Sequence, residues 1–238
     1  GSEMCIRDSD ITAAQDIDSW AGHLDGHIIN GHTIRRAFDG DPAELPGFKD
    51  GAWWVQDAAA ALPATLFGDL AGKDVIDLCA APGGKTAQLI SQGATVTAID
   101  SSAKRLKTLR GNLARLGMEA QCVTADGRSY DPGRTVDAVL IDAPCSATGT
   151  LRRRPDILRG RQADDIKTLA NLQSDLIRQA ATWLKPGGCL VYATCSLQFE
   201  EGEHIADSIL ADDSVALKSD PITTDEAGAF AAAVTSTG

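Results

Sequence analysis

Residues 74–86 read DVIDLCAAPGGKT, an apolar run that leads directly into a glycine-rich turn. The run predicts a strand from Asp74 to Cys79, and the residues beyond the turn predict a helix from Lys85 to Gln92. Glycines in such a turn let the backbone approach a ligand closely where the helix begins. This order of strand, turn and helix predicts an α/β protein whose ligand lies at the end of the strand.

Apolar runs of similar length continue along the chain and alternate with helical patterns. Further strands are predicted at Ala94–Asp100, Ala120–Thr124, Val136–Asp142 and Gly188–Thr194. Further helices are predicted at Ala103–Leu116 and Asp164–Leu184, the second of which should stop at a turn formed by Lys185 to Gly188. Short strands alternating with helices predict a doubly wound, mainly parallel, Rossmann-like sheet covered on both faces.

The two ends of the chain carry weaker patterns than its centre. Residues 1–9 show no periodicity and read as an unstructured tag or artefact, whereas residues 10–50, rich in Gly and Asp, predict a small, loop-rich appendage. A catalytic domain is predicted for residues 51–238, beginning with a helix at Trp53. Near its end only Val215 to Lys218 reads as a further strand, so the sheet is expected to be incomplete, with an unpaired edge.

Composition and length limit the classes of protein to which the chain can belong. It has 238 residues, 43% of them hydrophobic, which suffices for one catalytic domain with an appendage. No run approaches the roughly 18 to 20 apolar residues of a membrane span, and no signal peptide is apparent. A cytoplasmic protein is therefore expected, with its six cysteines reduced. No cysteine falls in a CxxC pair or beside a histidine at ligand spacing, so no metal is expected, and a monomer is the default.

The net charge of −11 excludes a protein that binds nucleic acid over a broad basic surface. Any RNA contact must therefore be local. The candidates are Arg152, Arg153 and Arg154, which directly follow the segment around Cys145 and could clamp phosphates. The other basic run, from Lys104 to Arg115, is interpreted as the solvated face of a helix.

Three aspartates lie at or just after the ends of predicted strands. Asp100 could accept hydrogen bonds from ribose hydroxyls, and Asp126 could accept one from an adenine amino group. Asp142 ends the next strand. Because ligands of such sheets bind at the carboxyl ends of the strands, these residues and the glycine-rich turn together predict an adenosine-containing cofactor.

Two other nucleotide-binding folds compete with this interpretation. Gly84-Lys85-Thr86 matches the end of a phosphate-binding P-loop, and Asp142 could be its metal-binding residue. However, Cys79 stands where a P-loop requires its first glycine, and Pro82 lacks an N–H donor. The turn also lacks the GxGxxG spacing of dinucleotide-binding oxidoreductases. Both alternatives are disfavoured.

Two cysteines are candidates for covalent chemistry. Cys145 and Cys195 lie fifty residues apart, and each follows a predicted strand in a turn of small residues, where a thiol can be exposed and its pKa tuned. The other cysteines in strands are interpreted as small apolar filling: Cys79, Cys122 and Cys189. A thiol beside a nucleotide-like cofactor suggests a methyltransferase that acts on a pyrimidine carbon.

Four segments carry a family resemblance: residues 79–85 (CAAPGGK), 142–149 (DAPCSATG), 153–156 (RRPD) and 193–196 (ATCS). They resemble the motifs of the RNA (cytosine-C5) methyltransferases, above all the bacterial enzymes that modify small-subunit rRNA, from about Gly31 to Leu210. The resemblance implies S-adenosylmethionine as cofactor and RNA as substrate, with ribosomal RNA favoured over other kinds of RNA.

The resemblance also implies roles for individual residues. Cys195 would attack carbon 6 of cytosine, Cys145 would assist breakdown of the adduct, Asp142 would contact the ring, and Lys85 would lie near this site. DNA cytosine methyltransferases attack with a Pro-Cys cysteine similar to Cys145, so the family match and not the spacing selects Cys195. The implied cofactor-binding residues are Cys79, Ala80, Ala81, Pro82, Gly83, Gly84, Lys85, Asp100, Asp126 and Asp142.

The chain departs from the family pattern at both ends. Family members usually carry an RNA-binding region before the catalytic domain and a pair of strands at its end. The chain is therefore interpreted as truncated at both ends. Two alternatives follow: a cofactor- or RNA-binding fragment without turnover, or an enzyme that modifies tRNA.

The target cytosine must be unpaired or flipped out of its stack before an enzyme can reach it. The Trp53-Trp54 pair is interpreted as part of the core rather than as a platform on which bases stack.

Overall fold

The computed structural model describes residues 8–13, 16–31, 33–38, 40–151, 163–211, 215–217 and 230–236. These residues form a small antiparallel sheet followed by a large mixed sheet flanked by helices. The predicted RNA-binding residues Arg152, Arg153 and Arg154 lie outside the described residues.

The small sheet contains four strands in the order β2-β3-β1-β4. Its elements are β1 (Asp8–Ala13), α1 (Ile17–His23), β2 (His27–Asn30), β3 (Thr33–Ala37) and β4 (Trp53–Val55). Its core contains the fully buried side chains of Ile11, Leu24, Ile34 and Trp53. The predicted appendage is thus a sheet rather than a set of loops, and Asp8 and Ser9, assigned to the tag, belong to β1.

The predicted helix start at Trp53 is wrong. Trp53 and Trp54 pair with Ala13 and Thr12 of β1, so the backbone is extended and the two indoles point to opposite faces. Trp53 enters the core of the small sheet, whereas Trp54 packs on the large domain. The predicted core role of the pair is therefore confirmed. The helix itself, α2 (Ala58–Thr65), begins after Asp57, whose side chain accepts a hydrogen bond from the Ala59 N–H at 2.9 Å.

The large sheet has seven strands in the order β10-β11-β9-β8-β5-β6-β7. Its parallel part alternates strands with helices: β5 (Asp74–Leu78), α3 (Gly84–Ser91), β6 (Thr95–Asp100), α4 (Ala103–Arg115), β7 (Gln121–Thr124), β8 (Val136–Asp142), α5 (Ala163–Ala181) and β9 (Leu184–Thr194). The structure thereby confirms the predicted doubly wound α/β fold. It confirms the predicted strands to within a residue at each end, except for the start of β9.

The start of β9 corrects the predicted turn at Lys185 to Gly188. The helix α5 ends at Ala181, and the chain is already in strand conformation at Leu184, which pairs with Val136 of β8. A register irregularity between Val136 and Ala138 accommodates the glycine pair, with Gly187 at φ +73°. The strand thus begins before the Lys-Pro-Gly-Gly segment, which forms an irregularity inside β9 rather than the end of a helix.

The sheet continues beyond β9 by two strands, and the sequence predicted only the first of them along the chain, at Val215 to Lys218. After α6 (Glu203–Leu210), strand β10 (Val215–Leu217) pairs antiparallel with β11 (Phe230–Ser236), and β11 in turn pairs antiparallel with β9. The expected unpaired edge at β9 is therefore covered. Strand β11 was missed because its centre, Ala231 to Ala233, carries none of the β-branched and aromatic residues that signal a strand.

Both faces of the large sheet are buried, as alternate side chains of each strand point in opposite directions. In β5, Ile76 and Leu78 pack against α5 and α6, whereas Val75 packs under α2 and α3. Among the described residues no helix is both long and apolar enough to cross a membrane.

Candidate active site

The glycine-rich turn after β5 forms one wall of the site. Cys79 and Gly83 both have positive φ, at 64° and 105°, and the helix α3 begins directly at Gly84. A Cβ atom at Gly83 would lie 2.9 Å from Leu109 Cγ, so only glycine fits between this turn and α4. The turn therefore presents its backbone, rather than side chains, to the edge of the sheet.

Asp100, at the end of β6, is almost fully buried and is held in place by backbone donors. Its carboxylate accepts hydrogen bonds from the N–H groups of Ala81 at 3.3 Å and Ser102 at 2.9 Å. Arg105 forms an ion pair with it at 3.2 Å and also donates to the Ala81 carbonyl. The sequence placed Arg105 on a solvated helix face and missed this contact, for which the (i, i+5) spacing alone gives no signal.

Asp126 follows β7 and faces the same edge. Arg128 donates to both of its carboxylate oxygens, and these hydrogen bonds lower the pKa of Asp126 to about 2. Gly127 lies against the core, since a Cβ there would approach Leu78 Cδ1 to 2.7 Å. Asp126 is therefore a fixed, ionised acceptor beside Asp100.

A cavity of about 370 Å³ joins these residues to the two predicted catalytic cysteines. Its lining includes Cys79, Asp100, Asp126, Asp142, Cys145 and Cys195. Leu78, Leu172 and Leu176 contribute an apolar surface. Carboxylate acceptors beside apolar walls fit an adenosine moiety, whose hydroxyl and amino groups donate hydrogen bonds while its base is flat and apolar.

The two cysteine thiols lie in contact, with their Sγ atoms 3.4 Å apart. Two backbone hydrogen bonds, from Ala143 N–H to Ala193 O and from Gly149 N–H to Cys195 O, join the turns that carry them. The hydrogen bond between the two thiols lowers the pKa of Cys145 to about 7, and the same bond, together with burial, raises the pKa of Cys195. Sharing one proton between the two sulfur atoms therefore favours a single thiolate in this pair.

Lys85 and Asp142 form an ion pair at 2.8 Å, and Asp142 lies on the wall of this cavity. Burial by itself lowers the pKa of Lys85. The charge and hydrogen bond of Asp142, together with the charges of Asp77 and Cys195, have the larger effect, so the pKa of Lys85 is raised overall. Lys85 is therefore a stable cation that favours a thiolate at Cys195. A second cavity of about 390 Å³, lined by Trp54, Gly84, Lys85 and Arg115 among others, shares Asp142 with the first.

The other three cysteines within the described residues have the surroundings of structural residues. Burial raises the pKa of Cys79 to about 12, and Cys189 is buried in the core under α2. Cys122 packs against the apolar cluster of α4. Among the described residues, no group of three His, Cys, Asp or Glu side chains could hold a metal ion.

Sequence reasoning also missed a buried hydrogen-bond cluster behind the two thiols. Ser146 and Ser196, the residues that follow Cys145 and Cys195, both donate to the carboxylate of Glu201. Gln173 of α5 donates to the same carboxylate at 3.1 Å. The only signal in the sequence is the repeated Cys-Ser dipeptide, which does not point to Glu201.

The seven-stranded sheet with its antiparallel strand at β11 and the carboxylate-lined cavity at the strand ends define a Rossmann-like S-adenosylmethionine-dependent methyltransferase domain. A sequence model of the family 16S rRNA methyltransferase RsmB/F matches residues 66–236. The chain belongs to this family, and S-adenosylmethionine is confirmed as its cofactor.

Curated relatives support this assignment. The chain is 48% identical over 166 residues to ribosomal RNA small subunit methyltransferase B of Vibrio cholerae, a match that covers 68% of this chain and 38% of the relative. It is 44% identical over 198 residues to the protein of the same name from Enterobacter sp., covering 77% of this chain and 46% of the relative. The matched part is thus less than half the length of these relatives.

Solved structures show the same fold. A methyltransferase homologue from Pyrococcus horikoshii has a TM-score of 0.79 at 26% identity, with 96% of this chain and 86% of that chain covered. NSun6 from Pyrococcus horikoshii, crystallised with the S-adenosylmethionine analogue SFG, has a TM-score of 0.75 at 27% identity, with 89% and 61% covered.

Proposed function

We propose that this protein methylates carbon 5 of a cytosine in small-subunit ribosomal RNA through a covalent adduct with Cys195. The observation that carries the proposal is the pair of thiols at 3.4 Å in the cavity that also contains Asp100, Asp126 and Asp142. The names of the curated relatives support ribosomal RNA as the substrate. The predicted cytoplasmic location and monomeric state remain predictions.

The chemistry explains why a thiol is needed. Carbon 5 of cytosine is a poor nucleophile until a thiolate adds to carbon 6 and makes the ring electron-rich. S-adenosylmethionine supplies the methyl group on a positively charged sulfur. Cys79 to Lys85, Asp100 and Asp126 would bind and orient this cofactor, as the resemblance implies.

The thiol pair can handle the proton of the attacking sulfur. Cys195 attacks carbon 6 while its proton passes across the 3.4 Å contact to Cys145, the group whose pKa is lowered to about 7. Asp142, held by Lys85 at 2.8 Å, contacts the ring and assists its protonation. After methyl transfer, a base removes the carbon-5 proton, and Cys145 returns a proton to the departing sulfur of Cys195.

The test is a denaturing gel of the Cys145→Ala variant after incubation with S-adenosylmethionine and small-subunit rRNA. Without a proton donor to the leaving sulfur, the adduct should accumulate as a slowly migrating protein–RNA band. Cys145→Ala/Cys195→Ala should form no band, and Cys122→Ala should behave as the wild type. A band from Cys195→Ala in place of Cys145→Ala would assign the attack to Cys145, as in DNA cytosine methyltransferases.

The same experiment separates the alternatives. Cofactor binding, measured by calorimetry, with no adduct on either rRNA or tRNA would identify the chain as a binding segment without turnover. An adduct on tRNA alone would identify a tRNA enzyme.

A further inference from the structure

The carboxylate of Glu201 lies directly behind the two thiols. Glu201 ends the short 3-10 turn Phe199–Glu201 between β9 and α6 and is fully buried. A buried carboxylate is costly unless hydrogen bonds satisfy its oxygens. Four donors do so here, and their positions in the chain indicate what the carboxylate does.

Glu201 bridges the residues next to both cysteines. Its Oε1 accepts from the backbone N–H of Ser146 at 2.9 Å, and its Oε2 accepts from the hydroxyl of Ser196 at 2.6 Å and from that of Ser146. The two hydroxyl oxygens are themselves 2.9 Å apart. One carboxylate therefore fixes the Cys145 turn after β8 to the Cys195 turn after β9.

A second layer fixes Glu201 itself. Gln173 of α5 donates to Glu201 Oε1 at 3.1 Å and to the Pro144 carbonyl at 2.9 Å. The Tyr192 hydroxyl donates to the Glu201 carbonyl at 2.5 Å. Gln173, Ser146 and Ser196 are all buried, so the whole assembly is shielded from water. Such enclosed networks are rigid when every member is satisfied.

We propose that Glu201 is a positioning residue, which holds the Cys145 and Cys195 turns so that the two sulfur atoms remain in contact. It touches neither thiol and acts through Ser146 and Ser196. The significance for catalysis rests on the proposed function, since the thiol contact is what passes the proton there. The positioning itself is a property of the free protein and can be measured without RNA.

The first readout is the reactivity of Cys145. The contact with Cys195 holds the pKa of Cys145 near 7, so its alkylation by iodoacetamide should have its pH midpoint there. In Glu201→Ala the turns separate, and the midpoint should rise toward the ordinary thiol value of about 8.5. Cys195→Ala, which removes the partner thiol itself, is the positive control. Mass spectrometry of the labelled Cys145 peptide gives the rate at each pH.

Glu200→Ala is the matched negative control, because Glu200 is the exposed neighbour of Glu201. The pH midpoint of Cys145 alkylation in Glu200→Ala should equal that of the wild type. Ser196→Ala and Glu201→Gln extend the series if Glu201→Ala does not fold. Ser196→Ala removes one arm of the bridge and should raise the midpoint, whereas Glu201→Gln keeps the reach of the side chain and should raise it least.

The second readout is the rate of methyl transfer. Because small misplacements of reacting groups cost about a hundredfold, Glu201→Ala should lower kcat on that order while the KM for S-adenosylmethionine stays within about twofold. A folded Glu201→Ala or Ser196→Ala protein with the wild-type alkylation midpoint would overturn the proposal. Absence of methyl transfer by the wild type would instead count against the proposed function, and the alkylation result would still stand.

Discussion

At the scale of single residues, the site is organised by aspartates that accept hydrogen bonds from the chain itself. Asp100 receives two backbone N–H groups and an ion pair from Arg105, so its carboxylate is already oriented before any ligand arrives. Preorganised acceptors bind hydroxyl donors well because no side-chain entropy is lost on binding. We therefore expect Asp100 to contribute strongly to cofactor affinity.

Replacing Asp100 by Asn should weaken binding of S-adenosylmethionine by about ten- to a hundredfold, because hydrogen bonds to a charged group contribute about 1.5 to 3 kcal/mol. Isothermal titration calorimetry measures the affinity directly. Asp131→Asn, at an exposed aspartate after β7, is the control and should bind as the wild type does. A loss of less than twofold for Asp100→Asn would remove Asp100 from the cofactor site.

At the scale of elements, β5 carries an acid inside the core. Asp77 is fully buried between the glycine-rich turn and α3, accepts a hydrogen bond from the Thr86 hydroxyl at 2.6 Å, and leaves its other oxygen without a partner. Burial raises the pKa of Asp77 to about 7, with the charges of Asp142 and Asp100 adding to the effect. The folded protein thus binds this proton more tightly than the unfolded chain.

This shift predicts a pH dependence of stability. The stability that Asp77 contributes in its protonated form is complete below the unfolded pKa of 3.8 and is lost as pH rises to about 7. In the wild type this lowers the free energy of unfolding by an amount on the order of 4 kcal/mol, and the Asp77→Asn variant should lack this loss. Urea unfolding of both proteins between pH 4 and pH 8 tests it, with Asp69→Asn as an exposed control. If the free energy of unfolding changed with pH in the same way in the wild type and in Asp77→Asn, the shifted pKa of Asp77 would be contradicted.

The elements also show where local sequence signals were insufficient. The five parallel strands were predictable because each is an apolar run with a turn after it, and burial on both faces leaves little room for ambiguity. Trp53 and Lys185 were assigned to a helix and a turn because their neighbours favour these states locally. In both places, pairing with a distant strand decided the conformation.

At the scale of the whole molecule, the sheet depends on the strand that the sequence did not reveal. Strand β11 pairs with β9 over six residues, from Phe230 opposite Thr194 to Thr235 opposite Cys189. Its Ala232 and Val234 enter the core beneath α6, and Ala233 enters the core on the opposite face. The strand thus covers both the edge of β9 and part of each core.

Ending the chain after Ala211 should therefore expose β9 as an unpaired apolar edge, which promotes aggregation. We expect Tm to fall by about 10 °C or more, given the loss of several kcal/mol of burial and pairing. Differential scanning calorimetry with light scattering measures both effects. A chain that ends at Ser236 keeps β10 and β11 and serves as the control. Equal stability of the two truncated chains would show that β11 contributes little.

The amino-acid sequence by itself determined the α/β class, the parallel strands, the glycine-rich turn and the two cysteines. These features depend on residues close together in the chain. They are apolar runs, a glycine that no other residue could replace, and motifs of seven or eight positions. Only the tertiary structure decided the pairing of β4, β9 and β11, the ion pair of Arg105, and the bridge of Glu201 between two turns fifty residues apart. The physical reason is that hydrogen-bond partners distant in sequence are selected by how the layers pack, and no local pattern encodes that choice.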